Sequence, residues 1–206
     1  MLVYDCEIKN MICGRNEIPE QGLQYCGGWS DFSGMGISVI CAYDYDADRY
    51  RVFMDDNINQ FAALVAKHDY VIGYNNISFD DKLVAAHGVT VKPEQSYDLL
   101  VELWKAAKVY DMPFKNRAGF KLDDVAHANN VSRKTGNGIL APKLYQRGNI
   151  GELVDYCIND VVMTKTLVDR LHSDCYLYDP RNIEKRINVR LPVEVLGSGL
   201  TQPGLL

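Results

Sequence analysis

The stretch Leu2-Val3-Tyr4-Asp5-Cys6-Glu7-Ile8 constrains the fold of this chain most, because it has the composition of a buried strand and carries two acids inside it. Alternate residues of a strand point to the same side, so Asp5 and Glu7 share one face while Tyr4 and Cys6 share the other. Two neighbouring carboxylates at the mouth of an apolar sheet repel each other, which raises their pKa values and costs stability unless a cation lies between them. The pair is a candidate metal site. A lone D-x-E pattern is common, however, and taken alone it leaves open the plainer reading of a polar edge on a surface strand.

The following residues divide into elements by their periodicity. Asn10 to Ser33 is a long excursion rich in Gly, Asn and other polar residues, of a length that is usually functional or disordered. Gly36 to Tyr43 reads as a β-branched strand, Asp44 to Asp48 as a turn whose aspartates serve local hydrogen bonds, and Tyr50 to Met54 as the returning strand of a hairpin. Phe61, Leu64 and Val65 recur at helical spacing within Ile58 to Lys67, and Tyr70 to Tyr74 reads as a short strand. Asn76-Ile77-Ser78-Phe79-Asp80-Asp81 then enters a second helix, with Ser78 as a candidate N-cap. Acids in a first helical turn suit the helix dipole, so this segment alone leaves a structural and a functional role for Asp80 equally open.

Val89 to Val91 is a candidate strand fragment, and Asp98 is expected to cap a helix from Leu99 to Lys108 that buries Trp104. A late helix from about Gly151 to His172 carries an apolar stripe through Leu153, Cys157, Val161, Leu167 and Leu171. Tyr156 and Asp160, four apart, project from one side of it, on or beside the stripe, and taken alone the pair suits a surface position at the stripe's border. Beyond His172 the chain reads as an extra hairpin plus a loose end, giving a division into a domain over residues 1–172 and a C-terminal extension over 173–206.

Composition sets the class. An apolar fraction of 47% in 206 residues supports a buried core, and no apolar run approaches the length of a membrane span. The start lacks a basic n-region and meets an acid at position 5, so a cytoplasmic protein with no membrane partner is expected. The six cysteines form no C-x-x-C pair and sit mostly in apolar runs, which predicts reduced thiols. Net charge is −5, yet Lys108 to Arg147 carries eight basic residues against three acids, with Tyr110, Phe114, Phe120 and Tyr145 interspersed. Such a surface suits a single nucleic acid strand; an ordinary solvated loop region is the competing reading.

In chain order the acids stand as Asp5-x-Glu7 on a first strand, Asn76-Ile77-Ser78-Phe79-Asp80 at a helix entry and Tyr156-x-x-x-Asp160 on a late helix. Together these motifs resemble the tyrosine-bearing branch of the DEDD 3′–5′ exonucleases, and in particular the proofreading domain of family-B DNA polymerases. The resemblance implies an α/β fold, a ribonuclease H-like mixed sheet with three antiparallel and then parallel strands, flanked by helices. It implies hydrolysis of phosphodiester bonds from the 3′ end of a single strand, DNA favoured over RNA, using two divalent ions, Mg²⁺ or Mn²⁺. Asp5, Glu7, Asp80 and Asp160 would be the metal ligands, and Tyr156 would orient the attacking water. Asn76, Phe79 and Lys134 are candidate substrate contacts, and replication or repair proteins are candidate partners. The alternatives are a catalytically weak nucleic-acid-binding subunit of a replication or repair complex, and a metal-dependent phosphohydrolase of small nucleotides. The resemblance spans residues 1 to about 172; within it the excursion is long and Asp81 has no assigned role, and the tail after His172 lies outside it.

Overall fold

Strand β1 (Leu2–Ile8) lies at the centre of the sheet in the computed structural model, which describes residues 1–14, 16–131 and 140–192. After it the excursion folds into two short parallel strands, β2 (Met11–Ile12) and β3 (Tyr25–Cys26), and one helical turn, α1 (Phe32–Met35), capped by the Asp31 side chain. The hairpin follows as β4 (Ile37–Asp44) and β5 (Arg49–Phe53). Strand β4 pairs antiparallel with β1, setting Asp5 opposite Cys41 and Glu7 opposite Val39, with a bulge between Glu7 and Ile8.

The chain then alternates. Helix α2 (Ile58–Val65) leads to β6 (Val71–Gly73), and helix α3 (Asp80–Ala86) to β7 (Ser96–Asp98). Both strands run parallel to β1, and the sheet order is β5-β4-β1-β6-β7. This is the expected mixed sheet, antiparallel first and parallel afterwards. One detail differs: Val89 to Val91 forms no strand, and the edge position goes to Ser96–Asp98, which pairs with β6 immediately before helix α4 (Leu99–Ala106). Asp98 caps α4 as expected, accepting from the Leu100 and Val101 amides. Trp104 packs half-buried against the core beneath the Arg117 guanidinium, 4.9 Å from the ring centroid.

Each face of the sheet has its own core, because alternate residues of β1 go to opposite sides. Leu2, Tyr4, Cys6 and Ile8 join Phe61, Leu64, Val65, Leu83 and Val84 of α2 and α3. Val3 joins the other core, with Leu99, Leu103 and the stripe of helix α7 (Ile150–Asp174). Helices α5 (Leu122–Ala128) and α6 (Ala141–Gln146) lie on this second side, adding Val125 and Ala141. Beyond α7 the chain turns through Cys175 in the left-handed region and forms the hairpin β8 (Tyr176–Asp179) and β9 (Asn182–Asn188). Leu177, Ile187, Val189 and Leu191 from this region are buried in the α7-side core. Among the described residues, no helix is long and apolar enough to cross a membrane.

Candidate active site

The face that β1 turns toward α7 carries Asp5 and Glu7 beyond Val3, and the stripe of α7 carries Asp160 one turn past Tyr156. Both α7 residues are buried, Tyr156 at 6% exposure and Asp160 at 5%. Asp160 therefore lies within the apolar stripe and not at its border. An ionised acid in that position needs a counter-charge. Carboxylate oxygens of Asp5, Glu7 and Asp160 all lie within 4.8 Å of one another. The Cys157 thiol, one residue beyond Tyr156, reaches the Asp5 carbonyl at 3.4 Å and its carboxylate at 3.6 Å, tying α7 to β1 at this level.

Asp80 comes from the opposite layer. It opens α3, with Phe79 as the cap residue and no side-chain cap bond, so the expected capping by Ser78 is not made and Ser78 is exposed. The Asp80 carboxylate is held by β1: it accepts from the Cys6 amide at 3.2 Å and the Cys6 thiol at 2.9 Å. Burial pushes this carboxyl up to about 7, against the hydrogen bonds from Cys6 and helped by the neighbouring Asp81 charge.

A cavity of about 300 Å³ joins the two layers at this end of the sheet, and Asp5, Glu7, Asp80, Tyr156 and Asp160 all line it. Phe79 lines it too. Asn76 does not. It is fully buried, donating to Asp81 and to the Ser96 hydroxyl, and packs so closely on Gly73 that a Cβ there would stand 2.6 Å from the Asn76 Cβ. The expectation that Asn76 contacts substrate is corrected accordingly. The neighbouring Asn75, in the left-handed region at φ 68°, is the asparagine on the cavity wall. Lys134 and the loop to Gly138 lie outside the described residues.

Three cations of the expected basic surface have partners among the described residues. Lys143 and Arg147 both pair with Glu20 of the excursion, and Arg117 stacks on Trp104. Sequence reasoning missed the contribution of the excursion to the cavity, where Met11, Ile12 and Trp29 form part of the wall. Its only signal was an aromatic residue set in a glycine-rich run.

A second group, Asp44, Asp46 and His68, also brings its ligand atoms within 4.8 Å. Asp44 is occupied as a turn anchor, accepting from the Asp46 and Ala47 amides and from Arg51, which agrees with the structural reading of these aspartates. The β1–α7 cluster fits a divalent cation better by its donor chemistry, three carboxylates and no nitrogen ligand, the oxygen-rich set that Mg²⁺ and Mn²⁺ prefer.

Comparison with known protein families matches residues 19–172 to the RNase_H superfamily. The chain belongs to that superfamily. The region that carries the RNase H match contains Asp80, Tyr156 and Asp160; Asp5 and Glu7 precede it on β1, the strand on which the RNase H-like sheet is centred. Among solved structures, 31 chains match. One is a family B DNA polymerase from the hyperthermophilic archaeon Pyrobaculum calidifontis, with a TM-score of 0.56 and 18% identity over 82% of this chain. The match spans 24% of the polymerase chain, and at this identity it is a likeness of fold. No curated protein matches.

Proposed function

We propose that this chain is a metal-dependent 3′–5′ exonuclease acting on single-stranded nucleic acid, with DNA favoured. The observation that carries the reading is the convergence of five side chains from β1, α3 and α7 on one cavity, three of them with carboxylate oxygens within 4.8 Å. Asp5, Glu7 and Asp160 would hold divalent cations, with Asp80 completing the set across the cavity. Bound there, Mg²⁺ or Mn²⁺ supplies the positive charge that stabilises the attacking and leaving oxygens of a phosphodiester in hydrolysis. Tyr156 lines the same space from α7 and would orient the attacking water as a hydrogen-bond partner. Bringing four carboxylates together costs stability in the absence of cations, and a site that bears such a cost is arranged for binding rather than for folding.

The polymerase likeness supports a role alongside replication or repair proteins, which would supply the context for removing nucleotides from a 3′ end. The test is an oligonucleotide labelled at its 5′ end, incubated with Mg²⁺ or Mn²⁺, as DNA and as RNA. A ladder shortening stepwise from the 3′ end is expected. Internal cuts, 5′ release, or turnover of free mononucleotides with the oligonucleotide left intact would each overturn the reading.

A further inference from the structure

Trp29 is 73% exposed although it lines the acid-bearing cavity. Indole is among the largest apolar surfaces a protein can leave in water, and an exposed one beside a site usually marks what the site contacts. Its position is fixed by its neighbours. The Trp29 ring meets the Phe79 ring edge-on at 6.5 Å, and Phe79 meets Phe32 in the same way at 6.0 Å. Lys82 closes the row with its ammonium 5.9 Å from the Phe32 centroid. An aromatic ridge ending in a cation therefore runs from the excursion across the start of α3. Phe79 stands next to Asp80 in the chain, so the ridge and the carboxylates are built from adjacent residues.

The excursion between β1 and β4 is braced for this. Asp31 caps α1 by accepting from the Gly34 amide and also accepts from the Gly27 amide, closing the chain on both sides of Trp29. Gln146 of α6 donates to the Lys9 and Gln24 carbonyls, pinning the base of the excursion. With Met11 and Ile12 the indole gives the cavity an apolar part to its lining, in the same space as the carboxylates. A ligand suited to both, once the carboxylates hold a divalent cation, has a flat apolar part and an anionic part.

Resting on the exonuclease reading, we propose that Trp29 is the stacking platform for the terminal nucleobase of the strand, and that it sets affinity for the 3′ end independently of base identity. The ligand class is an unpaired nucleotide terminus: the base lies on the indole and its phosphodiester faces Asp5, Glu7 and Asp160. Stacking of this kind is sequence-tolerant, because every base presents a π face.

The test compares wild type, Trp29→Ala and Trp29→Phe on two oligonucleotides that differ only in whether the 3′-terminal nucleotide carries a base. Trp29→Ala is expected to raise KM about ten-fold or more on the normal end with kcat changed little, Trp29→Phe to recover most of the loss, and the abasic end to be handled alike by all three. Equal losses on both ends, or no loss on the normal end, would overturn the proposal. A binding measurement decides the matter even if no cleavage occurs. The chain has two tryptophans, so in a Trp104→Phe background indole fluorescence reports Trp29 alone. Quenching by the normal oligonucleotide with Ca²⁺, and much less by the abasic one, supports the platform; no quenching by either overturns it. Failure of wild type to shorten any strand counts against the exonuclease reading instead.

Discussion

Cys6 presents both its amide and its thiol to one oxygen of Asp80, at 3.2 and 2.9 Å, so the residue between the two acids of β1 positions the acid of α3. The alternation that sends Asp5 and Glu7 toward α7 sends Cys6 toward α3, and one strand thereby organises carboxylates on both sides of the sheet. Cys6→Ala removes the thiol donor and leaves Asp80 buried with the amide. It should destabilise the protein by about 1–3 kcal/mol and lower activity without abolishing it, as checked by denaturant unfolding and by the strand-shortening assay.

Asp80 gives a pH dependence with a definite sign. Its folded pKa, about 7, lies above the ordinary carboxylate value near 3.8, so between these limits the folded state binds the extra proton and stability falls as pH rises. Asn mimics the protonated form. In chelator, Asp80→Asn should therefore melt higher than wild type at pH 8, and the difference should shrink toward pH 4. Equal melting temperatures across that range would rule out burial of the charged carboxylate as the cause of the raised pKa.

The cation cluster predicts the mutational hierarchy. On the exonuclease reading, Asp5→Ala and Asp160→Ala should each lower strand shortening by at least about a hundredfold with the fold retained, since each removes a carboxylate ligand of the cation. Tyr156→Phe keeps the packing of the ring and loses the hydroxyl, and should leave measurable residual activity. Circular dichroism establishes that the fold survives.

Cation binding should also be visible without substrate. Mg²⁺ or Mn²⁺ should raise the melting temperature of wild type, because an ion that binds only the folded state stabilises it. The shift should be lost in Asp5→Ala, which holds neither the charge nor the oxygen pair.

Asp98 joins the cavity rim to the scaffold. One carboxylate oxygen accepts from the Asn75 amide at 2.9 Å and from Leu100 and Val101, while the other accepts from Ile77 at 3.2 Å. Asp98→Ala removes the α4 cap and frees the loop before Asp80. A loss of about 2 kcal/mol or more is expected, with a rise in KM as the Asn75–Phe79 wall loosens.

At the far end of β4, Asp44 contributes to the acid limb of stability. Burial alone would raise its pKa, but the Ala47 amide, Arg51 and His68 outweigh burial and hold the carboxyl below its ordinary value. Its contribution is present above the unfolded value near 3.8 and is lost as pH falls through the lower folded value. Asp44→Asn should destabilise at pH 7 by about 1–3 kcal/mol and flatten the loss of stability on acidification, read from melting temperatures between about pH 2 and 5.

What the sequence by itself determined was the long elements and the faces they bury. Period-two alternation placed Asp5 and Glu7 together on β1, and period-3.6 spacing placed Tyr156 and Asp160 together on α7, because both rules are local and independent of the rest of the chain. Tertiary structure alone decided which neighbours these pairs would have. Asn75, not Asn76, faces the cavity because Gly73 and Asp81 claim the Asn76 side chain, a contact that no spacing rule encodes. Lys143 and Arg147 are drawn to Glu20, 123 and 127 residues away, a pairing that no local spacing encodes. Trp29 reached the cavity wall through the folding of an irregular excursion, where hydrogen bonds between distant side chains and backbone replace the periodicity that makes helices and strands legible.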